Sequence, residues 1–221
     1  MRWVLANSVG EALGLGITAL LGVAVVSSQG KGTGVLATLV LAAIAVLAGT
    51  LIEGTVVGTA QWLVPRRRLP EMRWSAWALA TGAGALLAWT LGTVPSTVLS
   101  LRAPGGREAA SAEPSGMVVF GLAFLMGLLL GPVLGFVQWL ALRRFVRRAA
   151  LWMPANALAW AFGMTVIFAG VDRATGGGFG PGAALILALT LTCAGAVVGA
   201  IHGLALVWLL RPARRPGEGV R

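Results

Sequence analysis

Seven polar side chains interrupt the otherwise apolar stretches of this chain: Asn7, Glu11, Glu53, Gln61, Gln138, Asn156 and His202. Inside a bilayer such groups are costly and are the first candidates for function. No Lys or Arg stands in the same stretches to pair with Glu11 or Glu53. Two acids without a basic partner are the chemistry of a proton-coupled or cation-binding carrier. They are equally the chemistry of two carboxyls sharing a hydrogen bond for structural reasons. His202 alone reads as a packing residue; with both acids near it, it completes a proton or metal site. No Ser-His, Asp-x-x-Asp or His-x₃-His arrangement is present, so no catalytic residue is expected, and no metal or other cofactor is assigned.

The spacing around these residues is helical. Gly54, Gly58 and Gln61, then Gly131, Gly135 and Gln138, then Gly195, Gly199 and His202 repeat at offsets of 0, 4 and 7. Such offsets share one face of an α-helix. Small residues at this spacing let membrane helices approach closely, and the amide or imidazole below them can hydrogen-bond to a neighbour. A second phrase also recurs: Trp3-Val4-Leu5-Ala6-Asn7, Trp77-Ala78-Leu79-Ala80-Thr81 and Trp152-Met153-Pro154-Ala155-Asn156. Gly10, Gly84 and Ala159 follow it by three residues, and Gly14, Ala88 and Gly163 by four more. The expected fold is therefore an all-α membrane protein of six transmembrane helices arranged as three parallel two-helix repeats. Their natural axis lies along the membrane normal, giving a pseudo-threefold bundle or a less symmetric one. Intramembrane acids occur only in the first copy, and Pro132 predicts a kink in the fourth span.

Composition agrees with that fold: 57% of the 221 residues are hydrophobic and 11% charged, outside the balance of a soluble domain. Spans of about 20 residues or more are expected near 3–26, 35–64, 75–95, 117–142, 151–171 and 182–210. Residues 1–221 form one transmembrane domain, with repeats near 3–74, 75–150 and 151–211 and a basic tail over 212–221. Thirteen of the seventeen Lys and Arg lie at the termini and in the 65–74 and 143–150 connections; Lys31, Arg102, Arg107 and Arg173 lie in the alternate ones. Arg-rich short loops stay inside, which puts both termini in the cytoplasm of a multi-pass protein of the bacterial inner membrane. The partners expected are the bilayer and, at the cytoplasmic face, anionic lipid headgroups. No protein partner is identified, and the net charge of +10 comes with no aromatic-and-basic groove for nucleic acid.

Further readings follow from position. Asn7 and Glu11 in the first apolar run argue against a cleaved signal peptide. The Trp of each phrase is expected at the headgroups, as an interfacial anchor. Cys193 is expected to be a small buried residue. Residues 95–116 and the run Gly176–Pro181 read as loops. Counted at about 1.5 Å per residue from the nearest arginine, the polar side chains lie roughly 8 to 20 Å deep. A polar vestibule open to the cytosol and sealed outside is the expectation.

The phrases "Trp-x-Leu-Ala-Asn…Gly" and "Gly-x-x-Gln-Trp-x-x-Leu-Arg-Arg", the latter at Gly135 to Arg144, resemble a group of small polytopic bacterial membrane proteins. The resemblance covers most of the chain and implies an intrinsic membrane protein, without an activity, substrate or cofactor. The functional expectation is an integral membrane protein acting as a small carrier or channel with a cytosol-facing polar cavity. The alternative is a non-catalytic membrane scaffold or regulatory subunit.

Overall fold

The computed structural model describes residues 1–28, 34–102, 116–175 and 180–211, and among them there is no strand. The helices are α1 (Arg2–Ser28), α2 (Val35–Ala48), α3 (Gly54–Trp62), α4 (Trp74–Arg102), α5 (Gly116–Leu142), α6 (Trp152–Thr175) and α7 (Pro181–Leu209). A π-helical turn, Gly49–Glu53, joins α2 to α3 within one span, and 3₁₀ turns at Pro65–Arg67 and Ala149–Leu151 shape the Arg-rich connections. Six helices are long and apolar enough to cross a membrane, which makes this a multi-pass membrane protein by length and composition. In hydrocarbon the backbone must satisfy itself, and continuous helices do this.

Several boundaries differ from the sequence reading. α4 runs on to Arg102 with Pro95 inside it, so the first part of the expected 95–116 loop is helix. α5 begins at Gly116, so the last residue of that expected loop is helix as well. The second span is not one uniform helix, because the amide of Gly54 bonds back to the carbonyl of Gly49 across a wider turn. Residues 103–115, 176–179 and 212–221, with the expected loops and basic tail that fall on them, lie outside the described residues.

The spans form a ring in chain order. α1 packs on α3 and the π turn, these on α4, α4 on α5, α5 on α6, α6 on α7, and α7 back on α1. Leucines such as Leu36, Leu79 and Leu204 lie on the outside and are largely exposed, while the polar residues are inside. That distribution suits lipid as the outer solvent.

Glycine sets the spacing between neighbours. A Cβ built on Gly58 would lie 3.1 Å from Cα of Ala78. On Gly135 it would lie 3.0 Å from Cα of Met153, and on Gly199 2.9 Å from Cα of Val4. One turn away, Gly54 faces Gly82, Gly131 faces the Asn156 carbonyl, and Gly195 faces Ser8 and the Asn7 carbonyl. Each Gly stripe thus abuts the Trp-bearing phrase of the next odd span, the last one abutting the first. The contacts on the other flank are made by Gly10 against Val57 and by Gly84 against Leu134.

Two expectations are corrected here. Trp3, Trp77 and Trp152 do not anchor at the headgroups; they are 5%, 2% and 0% exposed. Their rings meet edge to face, with centroids 5.9 Å apart for Trp3 and Trp152 and 6.1 Å for Trp77 and Trp152. With Met72, Leu142, Val146, Leu206 and Leu209 they form the hydrophobic core at the basic end of the ring. The indoles turn inward because the ring leaves axial space there, and aromatic area fills it. Indoles on other positions take the arginines: Arg66 lies over Trp62, Arg143 over Trp139 and Arg148 over Trp208, each about 5 Å from the ring centroid. Cys193, expected inside, is exposed on the outer face of α7; the inward positions beside it belong to Ala194 and Gly195.

Candidate functional site

Next to the tryptophan core lies a layer of amides. Gln61 Nε2 donates to Asn7 Oδ1 at 2.9 Å, and Gln61 Oε1 accepts from Trp77 Nε1 at 3.3 Å. Gln138 Nε2 donates to Thr81 Oγ1 at 3.1 Å, and Gln138 Oε1 accepts from Trp152 Nε1 at 2.8 Å. A longer bond from Gln138 Nε2 to Gln61 Oε1, 3.3 Å, joins the two sets. Asn7 and Asn156 each donate to the carbonyl four residues back, Trp3 and Trp152, which fixes their rotamers. A buried polar network of this kind is stable only when its members are satisfied.

The third position of the layer is different. His202 stands on α7 where Gln61 and Gln138 stand on α3 and α5, seven residues after the first glycine of its stripe. Its ring stacks on Trp152 with centroids 4.9 Å apart and planes 28° from parallel. Neither ring nitrogen has a hydrogen-bond partner, nor does Trp3 Nε1, the indole corresponding to Trp77 and Trp152.

Glu11 and Glu53 lie deeper along the axis. Glu11 is 1% exposed, and neither carboxyl oxygen has a partner. Glu53 closes the π turn and is packed against Gly14, where a Cβ would come within 3.0 Å of the Glu53 Cα. Its Oε2 accepts from Trp89 Nε1 at 2.7 Å. Gly49, on the same π turn, has no side chain to keep the Trp89 indole away. π turns often mark functional positions, and this one delivers a carboxyl to the interior.

One cavity collects these groups. Glu11, Glu53, Gln61, Gln138, Asn156 and His202 all line it, together with Thr81 and Trp160. Of the seven residues singled out in the sequence, Asn7 alone does not line it, being held behind Gln61. The space left for small molecules is about 20 Å³, room for about one water. The tryptophan core lies on the basic side of the amide layer, and the cavity is a small pocket where a wide polar vestibule was expected. Among the described residues no group of three His, Cys, Asp or Glu is arranged to hold a metal ion.

Thr81 takes the place of Asn7 and Asn156 in the aligned Trp phrases, yet it was not among the expected site residues; Trp89 carries no repeated signal and escaped the sequence reading altogether. Compared with family models, curated proteins and solved structures, the chain matches none.

Proposed function

We propose that this protein is a small membrane carrier or channel whose ionisable site is Glu11, Glu53 and His202. The observation that carries the reading is the concentration of orphaned polarity. Among the described residues six buried side-chain polar atoms have no partner, and five belong to Trp3, Glu11 and His202. Buried groups left this way cost about 1–3 kcal/mol each, and a helix bundle maintained only for packing has simpler side chains available. The proposed frame is three parallel two-helix repeats about a pseudo-threefold axis. Its support is the recurrence of the glycine contacts at Ala78, Met153 and Val4 and of the Trp-to-Gln bonds at two of three positions. The Arg-rich ends are assigned to the cytoplasm of a bacterial cell membrane, where they would attract anionic headgroups.

Glu11→Gln and Glu53→Gln, reconstituted in vesicles beside the parent, test the reading through proton and monovalent-cation flux. Both are expected to fold and to lose the flux. Unaltered flux and growth in both variants would leave a membrane scaffold or regulatory subunit as the function. Orientation is tested separately. Cysteines placed in 103–115, in a Cys193→Ala background, are expected to react with an impermeant thiol reagent from outside, and cysteines in 143–150 are not. The reverse pattern overturns the assignment.

A further inference from the structure

Three positions of the amide layer are equivalent by spacing and by neighbours, yet only two carry the amide that their surroundings fit. An indole N–H stands ready to donate at each: Trp77 to Gln61, Trp152 to Gln138, and Trp3 to nothing. A Gln side chain also donates to the Asn or Thr of its own helix pair, as Gln61 does to Asn7 and Gln138 to Thr81. At the third position that partner would be Asn156, which lines the cavity beside His202. A glutamine at 202 would therefore have both partners within its set. Histidine satisfies neither and leaves its own two nitrogens bare. What it adds is a group that takes up and gives up a proton, which an amide does not.

The chamber holds the complementary group. Glu11 lines the same cavity with both oxygens bare and, like His202, is 1% exposed. Among the described residues the only other titratable side chain lining it is Glu53, from the π turn; the lining residues from α4, α5 and α6 are Thr81, Ala85, Leu134, Gln138, Asn156 and Trp160. The cavity that both line has room for about one water and not for an organic solute. The face of Trp152 beneath the His202 ring is electron-rich and tolerates a cationic ring as well as a neutral one.

We infer that the ligand of this chamber is a proton, exchanged between the Glu11 carboxyl and the His202 imidazole through one water molecule, and that His202 stands at the third amide position for that purpose. The inference rests on the carrier reading above and names its cargo. In the exchange the O–H bond of Glu11 breaks as a water O–H forms, and a second O–H of that water breaks as N–H forms on His202. The water is regenerated, and one carboxylate and one imidazolium result from one carboxylic acid and one neutral ring.

His202 is the single histidine of the chain, so histidine-selective ¹⁵N labelling gives the signals of one imidazole in lipid nanodiscs. The ring signals are expected to change as the pH is varied and to shift in Glu11→Gln. In pyranine-loaded vesicles driven by a potassium diffusion potential, His202→Gln is expected to reduce proton flux to that of protein-free vesicles. The same variant is expected to melt at or above the parent's temperature, which a purely structural histidine would not allow. Imidazole signals indifferent to both pH and Glu11→Gln overturn the inference. So does parental proton flux in His202→Gln, and if Glu11→Gln and Glu53→Gln still lose a cation flux, the carrier reading survives. If parental vesicles carry no flux at all, the carrier reading fails, and the labelled ring still decides whether the two residues share a proton.

Discussion

The two glutamine positions and the histidine position of the axial layer have the same setting and opposite bookkeeping. Around Gln61 and Gln138 an indole, an amide or hydroxyl and a second glutamine interlock at 2.8 to 3.3 Å. Around His202 the helices approach just as closely, with Gly195 and Gly199 against α1, but the polar atoms are unmatched. Backbone proximity therefore does not depend on the hydrogen bonds, and the hydrogen bonds do not follow automatically from proximity. The glycine contacts build the ring, and the identity of the polar residue decides whether the hydrogen bonds at a position are satisfied.

The comparison can be broken most severely at its shared foundation. Gly195→Leu puts a side chain where Cβ alone would come within 2.6 Å of the Asn7 carbonyl oxygen. It is expected to destabilise by about 3 kcal/mol, the upper part of the overpacking range, seen as a lowered detergent melting temperature. Should it melt like the parent, the contact between α7 and α1 is not the one that closes the ring. Gln138→Leu keeps the volume and strips Trp152 and Thr81 of their partner; a loss of about 2 kcal/mol is expected. Gln138→His sharpens the contrast by moving the third position's chemistry into a satisfied set, and about 1–2 kcal/mol should be lost. The smallest effect should have the opposite sign. His202→Gln is expected to gain about 1 kcal/mol as Trp3 and Asn156 acquire partners. A lower melting temperature for this variant would mean that the three positions are not equivalent.

Spacing made much of this legible. The offsets of the Gly stripes selected the helix faces, and the contacts of Gly54, Gly131 and Gly195 with neighbouring spans involve those faces. The polar residues were legible for a simpler reason: an amide or acid in an apolar run has few places to go but inward. What escaped was orientation about the axis at the ends. A Trp beside arginines has the same local signature whether it faces headgroups or the centre, so Trp3, Trp77 and Trp152 gave no sign of their inward turn. Only the positions of neighbouring helices decide that, and they decided it together with the small size of the cavity. The π turn was illegible as well, because Gly49–Glu53 differs from ordinary helix by one hydrogen-bond register. Cys193 was misplaced by one position, lying between the inward-facing Leu191 and Ala194 of α7.

The ring is closed by a contact between the first helix and the last, which has a consequence for biogenesis. While the chain is being made, α1 enters the bilayer long before α7 exists. Until then the Asn7–Ser8 surface that Gly195 will cover, and the carboxyl of Glu11, have no sixth wall. A nascent chain short of its last span must therefore hold an acid and an amide against lipid, translocon or a membrane chaperone. Closure of the ring waits for α7, whose Gly195 and Gly199 bring its backbone against α1. Chains arrested before that step would leave the Asn7 amide and the Glu11 carboxyl, both buried in the finished ring, uncovered on one side.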